Sequence, residues 1–267
     1  MSSATIIDAL FCLPRNPKVL QISDCVPFDQ DLAPEMISSG ISGAVLAPCN
    51  CAGCQHHWNC ADRMTHELAG AVARNPKLLR GLASYDSLRI GDSLRWIDEG
   101  VTSGALVGAY ALAESCSSGL DAPRMYPLYG MCAKLRSPAV LDFTSRERWL
   151  HYRPQVEVVA ADFPELDILL ATPPFTNAAS ILLLLQRFPH ISFVLRPEEL
   201  QTDAALGEYM ELKGQERALF RSSAKGWRAS VKAAMALPLG PAAQRAYLFE
   251  NAARLFHFLI EPASVNA

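Results

Sequence analysis

The sequence predicts a single α/β domain in which eight short parallel strands alternate with helices. The chain has 267 residues and half of them are apolar, which is enough to bury the core of one α/β barrel or one doubly wound sheet. Short apolar runs alternate with segments of helical periodicity along the whole chain. Eight strands with crossover helices favour a (β/α)8 TIM barrel over an open sheet. Residues 1–267 are therefore expected to form one domain.

Each predicted strand is a short run of apolar or β-branched residues bounded by turn residues. Two junctions repeat the same device: a helix ends at Phe163-Pro164 and at Phe188-Pro189, because the residue before proline avoids helical geometry. Asp121 is expected to cap the helix that follows it, with Pro123 in the first turn. In chain order the predicted strands are 4–12, 43–47, 78–83, 104–110, 139–143, two segments ending at 170 and 194, and 217–220.

The charge distribution excludes two classes of partner. The net charge is -3 and the basic residues are scattered, so no patch is suited to nucleic acid or to an anionic membrane. The N-terminus lacks a basic region before its short apolar run, and no apolar stretch reaches the ~18 residues that a spanning helix needs. We therefore expect a cytoplasmic protein whose eight cysteines are reduced.

Six short motifs stand in a fixed order along nearly the whole chain. They are Ile7-Asp8-Ala9, Leu106-Val107-Gly108-Ala109-Tyr110, Tyr126-Pro127-Leu128-Tyr129, Ala161-Asp162-Phe163-Pro164-Glu165-Leu166, residues 213–220 and residues 251–256. Each motif is modest, but together and in this order they resemble the amidohydrolase-2 family. That family contains metal-dependent hydrolases and decarboxylases of the aminocarboxymuconate-semialdehyde and resorcylate decarboxylase kind, and the resemblance implies a TIM barrel.

The same resemblance implies that the family's metal site is missing. Members usually end strand one with Asp-x-His-x-His, whose histidines hold a divalent metal, and the aspartate of Phe-Gly-Ser/Thr-Asp on strand eight binds metal and acts as a base. A catalytic metal needs about three nitrogen, oxygen or sulfur ligands, and the residues here supply almost none. The matching positions are Leu10 and Cys12 on strand one, Tyr110 on strand four, Asp142 near strand five, Thr172 on strand six and Phe220-Arg221-Ser222-Ser223 on strand eight.

Polar residues remain at the carboxyl ends of the predicted strands, where barrel active sites lie. A carboxylate, a phenol and guanidinium groups can bind an acidic ligand or transfer protons. In the alternative interpretation, Asp142 pairs with Arg146 or Arg221 and fills a pocket without function; Asp8 is expected to be structural. The catalytic candidates are Asp142, Tyr110, Cys12 and Arg221, and the substrate-binding candidates are Arg146 and His151 on the loop after strand five, Ser222 and Ser223.

A cysteine- and histidine-rich loop at residues 48–60 follows the second predicted strand, at the same end of the barrel. Thiolates and imidazoles bind zinc or copper, and a Cys-x-x-Cys spacing lets two sulfurs share one ion. The loop is therefore a relocated metal site, a reactive thiol, an interaction loop, or simply a compact reduced loop. The candidate metal ligands are Cys49, Cys51, Cys54, His56, His57 and Cys60.

Two classes of function follow from these features. The first is a pseudoenzyme: a barrel that has lost its metal and works as an accessory subunit, in a homo- or hetero-oligomer or beside a companion pathway enzyme. The second is an enzyme with rebuilt chemistry, a decarboxylase, hydrolase or lyase of a small carboxylated substrate, which is metal-independent or uses a zinc-type ion on the 48–60 loop.

Overall fold

The computed structural model describes residues 5–12, 32–48, 57–116, 118–143, 146–171, 178–202, 204–212, 214–223 and 226–258. For residues 12, 57–64, 115, 146, 178–181 and 204–205 it describes the backbone alone. All strand pairings in this part of the chain are parallel. The strands are β1 Ile7–Cys12, β2 Gly43–Ala47, β3 Leu79–Gly81, β4 Ala83–Ser84, β5 Ala109–Leu112, β6 Ala139–Asp142, β7 Ile168–Ala171, β8 Ile191–Leu195 and β9 Ala218–Phe220.

Strands β3 and β4 are two halves of one barrel strand that is interrupted at Leu82. The amide of Leu82 still donates to the carbonyl of Leu46 in β2, at 3.1 Å, while the amide of Ala83 donates to Gly108 before β5, at 2.9 Å. The first half therefore pairs with β2 and the second half with β5. Counted this way, eight strands follow one another in sequence order, and the last strand, β9, lies beside β1.

The helices connect successive strands. They are α1 Ala33–Ser38, α2 His57–Arg74, α3 Ile90–Thr102, α4 Tyr126–Leu135, α5 Arg146–Asp162, α6 Ala178–Arg187, α7 Pro197–Thr202, α8 Ala204–Leu212, α9 Trp227–Met235, α10 Pro241–Arg245 and α11 Asn251–Leu255. A 3-10 turn at Ala113–Ser115 follows β5, and a π-helical turn at Ala246–Glu250 joins α10 to α11. None of the helices in the described ranges is both long enough and apolar enough to cross a bilayer.

Three predicted boundaries were wrong. The fourth barrel strand begins at Ala109 rather than at residue 104, because the amide of Leu106 donates back to the carbonyl of Gly100 in α3, at 2.9 Å. Helix α4 begins at Tyr126 after a turn, so Asp121 does not cap it. Helix α2 begins at His57, so the final residues of the predicted 48–60 loop are helical.

The core has two layers that follow from strand alternation. Inside the barrel, Val45, Val140, Leu169, Val194 and Leu219 belong to one buried cluster. The residues between them along the strands face outward and pack against the helices in a second cluster. Side chains that continue the inner pattern beyond the strand ends are therefore placed at the carboxyl end of the barrel.

Candidate functional site

A buried carboxylate near the start of β1 is joined to the segment that follows β9. Asp8 is fully buried and accepts hydrogen bonds from the indole Nε1 of Trp227 at 2.8 Å and from the hydroxyl of Ser222 at 2.5 Å. The amides of Ser222 and Leu10 also donate to it, each at 3.3 Å. Asp8 lies between Ile7 and Ala9, which are in the inner cluster, so alternation directs it outward toward α9. This arrangement agrees with the structural role expected for Asp8.

The environment of Asp8 determines how easily it ionises. Burial raises the pKa of the Asp8 carboxyl above its ordinary value, although the hydrogen bonds from Ser222, Trp227 and Leu10 each lower it. In the described part of the chain no cation pairs with this carboxylate. A buried carboxylate without a cation is stabilised by its hydrogen bonds alone, so each of these donors matters for the fold.

Tyr110 and Asp142 meet inside the barrel. Strand β5 carries Tyr110 and strand β6 ends at Asp142, and both side chains are buried, at 3% and 5% exposure. The hydroxyl of Tyr110 donates to Asp142 Oδ2 at 2.8 Å, and the amide of Phe143 donates to Asp142 Oδ1 at 2.8 Å. Two candidate residues that are 32 positions apart are thus brought into direct contact. A phenol and a carboxylate in this geometry can hold and transfer a proton.

The alternative pairing of Asp142 with Arg221 does not occur among the described residues, and its pairing with Arg146 falls outside them. Among the described residues, Asp142 is hydrogen-bonded to Tyr110 and Phe143 and takes part in no ion pair. For Arg146 the structure describes the backbone alone. Both Arg146 and His151 lie within helix α5 rather than on a loop, and His151 is exposed with its ring 4.9 Å from that of Tyr152.

The segment after β9 is held by separate anchors. The amide of Arg221 donates to the carbonyl of Leu195 in β8, at 2.9 Å, which extends the strand pairing by one residue. Ser222 bonds to Asp8 on the outer side. The amide of Ser223 donates to Ser230 Oγ at 2.9 Å, and the two hydroxyl oxygens are 3.2 Å apart. Arg221, Ser222 and Ser223 therefore have fixed backbone positions at the end of the barrel.

Three described residues at positions that the resemblance matches to the family's metal ligands offer no strong donor for a divalent metal. Leu10 is a hydrocarbon at 1% exposure within the inner cluster, Tyr110 donates to Asp142, and Ser223 is bonded to Ser230. Neutral hydroxyls are weak ligands compared with imidazole, thiolate and carboxylate. Across the described residues, no three His, Cys, Asp or Glu side chains are grouped as metal ligands. The side chain of Cys12 and the whole of Thr172 are outside the described set.

The side chains of all six candidate ligands in the 48–60 loop lie outside the described residues. Cys49, Cys51, Cys54 and His56 are not among the described residues, while His57 and Cys60 are described as backbone of α2. The relocated metal site therefore stays a prediction.

Neither Trp227 nor Arg196 was predicted from the sequence. Trp227 begins α9 and is 219 residues from the carboxylate it contacts, so no local pattern points to it. Arg196 comes immediately after β8, and its position at the end of a barrel strand was the signal that could have marked it.

The comparisons with known proteins support the fold. No protein-family model matches the sequence, and no curated protein is significantly similar to it. The structure is similar to 2,6-dihydroxybenzoate decarboxylase from Rhizobium, with a TM-score of 0.66 and 19% identity over 96% of this chain and 99% of that one. It is also similar to a dihydroxybenzoic acid decarboxylase from Polaromonas with bound manganese and 2-nitroresorcinol, with a TM-score of 0.67 and 16% identity over 98% of each chain.

A third similar structure is a probable 2-pyrone-4,6-dicarboxylic acid hydrolase from Acinetobacter baumannii with bound citric acid. Its TM-score is 0.65, and the identity is 12% over 96% of this chain and 100% of that one. These solved structures are amidohydrolase-2 barrels. At such low identity they show the fold, and the predicted single-domain parallel α/β barrel is confirmed.

Proposed function

We propose that this chain is a divergent amidohydrolase-2 barrel that binds a small carboxylated compound without a metal at the family's site, and that it acts as an accessory subunit of a cytoplasmic enzyme. The observation that carries the proposal is the chemistry of the family's ligand positions. Leu10 is packed into the core and Ser223 is bonded to Ser230. The proposed ligand class rests on the neighbours, whose names include dihydroxybenzoates and a pyrone dicarboxylate.

Metal retention tests this proposal directly. Reduced, untagged protein is incubated with Mn²⁺ or Zn²⁺, separated from free metal and analysed by mass spectrometry. The expected result is well below one equivalent. A Leu10→His/Cys12→His/Ser223→Asp variant restores imidazole and carboxylate donors and serves as the positive control. One equivalent retained by the wild type, at a site that Leu10→Lys abolishes, would contradict the proposal.

The 48–60 loop is a second place for a metal. We propose that it binds zinc, because Cys51 and Cys54 have the spacing at which two thiolates can bind the same ion. The matched variant is Cys51→Ser/Cys54→Ser. Zinc that is retained by the wild type and lost in this variant supports the relocated site, and equal, substoichiometric zinc in both excludes it. This outcome is distinct from a metal at the barrel end.

The accessory-subunit proposal has its own test. The tagged protein is recovered from its native host under gentle conditions, and its oligomeric state is measured by light scattering. We expect a homo-oligomer or a complex with a pathway enzyme. A monomer that recovers no companion enzyme would count against this proposal.

The contact between Tyr110 and Asp142 supports a second candidate function, a metal-independent decarboxylase. In that reaction the bond between a ring carbon and the carboxylate breaks, carbon dioxide leaves, and a proton held between Tyr110 Oη and Asp142 Oδ2 is delivered to the carbon. Turnover of 2,6-dihydroxybenzoate in D2O, with and without chelator, measures it. Chelator-resistant turnover that falls at least 100-fold in Asp142→Asn supports this candidate. No turnover leaves the accessory role as the better description.

A further inference from the structure

Two arginines stand opposite each other at the ends of neighbouring barrel strands. Val194 of β8 is paired with Leu219 of β9, and both belong to the inner cluster. Arg196 and Arg221 come two residues later. The amide of Arg221 donates to Leu195 O at 2.9 Å, so the strand pairing continues to this point. Alternation therefore places both arginines on the inner face, as direct cross-strand neighbours at the carboxyl end.

Like charges directly across a strand pair are destabilising, so this arrangement requires a negative charge nearby. Glu199 of α7 supplies part of it, since its carboxylate accepts the amide of Arg196 at 2.7 Å. Burial raises the pKa of Glu199, and the charges of Arg196 and Arg221 act in the opposite direction. Among the described residues, the guanidinium of Arg196 has no hydrogen-bond or ion-pair partner. Because burial disfavours the ionisation of Glu199, its carboxylate offsets the charge of the Arg196 guanidinium only in part.

The opposite part of the barrel end has the complementary character. Tyr110 and Asp142 come from β5 and β6, which β7 separates from β8 and β9, and they present a phenol and a carboxylate. The end of the barrel thus carries cationic groups on one side and hydrogen-bond acceptors on the other. A ligand that matches both sides carries a carboxylate at one end and a hydroxyl donor at the other.

We propose that Arg196 and Arg221 form a carboxylate-binding subsite for a hydroxylated organic acid at the carboxyl end of the barrel. Planar guanidiniums on adjacent strands bind the two oxygens of a carboxylate. This inference rests on the proposed function, because it specifies the ligand-binding part of it.

Calorimetric titration with two probes tests the subsite. 4-Hydroxybenzoate carries the carboxylate, and 4-hydroxybenzamide has nearly the same shape without the charge. We expect the acid to bind at least 10-fold more tightly than the amide. Arg196→Gln and Arg221→Gln should each weaken binding of the acid by 10-fold or more and leave the amide nearly unchanged, while Arg196→Lys should keep part of the affinity because it keeps the charge.

Arg95→Gln is the matched control, since Arg95 is exposed on α3 and far along the chain from the proposed subsite. Thermal melting of each variant shows whether it is folded, and Arg196→Lys replaces Arg196→Gln if the latter is not. Equal binding of acid and amide, no binding of the acid, or an equal loss in Arg95→Gln would overturn the proposal. An Arg196→Gln variant that is less stable but binds the acid normally would also overturn it, because the arginine would then serve Glu199 alone.

Metal analysis of the same samples separates this inference from the proposed function. A metal found at the barrel end together with arginine-dependent binding would refute the metal-free function and leave the subsite standing. Metal-free protein whose ligand binding does not depend on the arginines would support the metal-free function and refute the subsite.

Discussion

Replacing Trp227 with phenylalanine should destabilise the protein by about 3 kcal/mol. The indole Nε1 donates to the buried carboxylate of Asp8 at 2.8 Å, and a hydrogen bond to a charged group contributes roughly 1.5–3 kcal/mol. Trp227 is 2% exposed and its ring centroid lies 4.3 Å from that of Phe11. The smaller ring leaves a cavity that costs about 1 kcal/mol more. Urea unfolding at pH 7 measures the difference.

Trp96→Phe is the control for this prediction. Trp96 is also buried, at 7% exposure, and contacts the rings or guanidiniums of His66 and Arg89, but no hydrogen bond of its indole occurs among the described residues. It therefore reports the loss of ring area alone, and we expect about 1 kcal/mol. If Trp227→Phe costs no more than Trp96→Phe, the bond to Asp8 does not stabilise the fold and the reasoning is refuted.

Three further predictions concern stability and reactivity. Burial raises the pKa of Asp8 from 3.8, so the native protein binds this proton more tightly than the unfolded chain does. The stability of the wild type should therefore fall relative to that of Asp8→Asn as pH rises from 4 through the native pKa. A pH-independent difference between the two in urea unfolding would contradict this. Gly108→Ala should lower the stability of the fold by roughly 1–3 kcal/mol, because the added Cβ would lie 2.6 Å from the carbonyl oxygen of Pro138. Gly130→Ala in α4 has open space around its Cβ and should raise the stability by about 0.5–1 kcal/mol. Similar shifts in melting temperature for the two variants would contradict both predictions. Burial raises the pKa of Cys132 to about 12, so a maleimide should label it at pH 8 in urea but not in buffer, as peptide mass spectrometry would show.

Local chemistry explains the elements that were predicted well. The second strand was predicted at residues 43–47 and is observed at Gly43–Ala47. A short apolar run bounded by turn residues is typical of a buried strand. Helices α5 and α6 end at Asp162 and Arg187, each one residue before the predicted Phe-Pro junctions. In both cases the proline disfavours helical backbone geometry at the residue before it, so the end of the helix can be predicted from the local sequence.

Tertiary contacts explain the elements that were missed. The start of β5 depends on Leu106 bonding back to Gly100, which a strand-like run of residues does not reveal. The candidate site shows the same division. Tyr110 and Asp142 could be named as strand-end residues, but their mutual hydrogen bond depends on the order of β5 and β6. The bond between Asp8 and Trp227 spans nearly the whole chain and is set by the assembled fold.

The way in which β1 and β9 meet has a consequence for how this sequence can vary. Neighbouring strands that pair through their backbones tolerate many side chains, because the main-chain bonds do not depend on residue type. Here the side chain of Asp8 in β1 is bonded to those of Ser222, which follows β9, and Trp227, which begins α9. A change at any one of these positions leaves polar atoms of the others buried without a partner. Acceptable substitutions at these three positions must therefore arise together, and libraries that vary them one at a time will recover mostly unstable proteins.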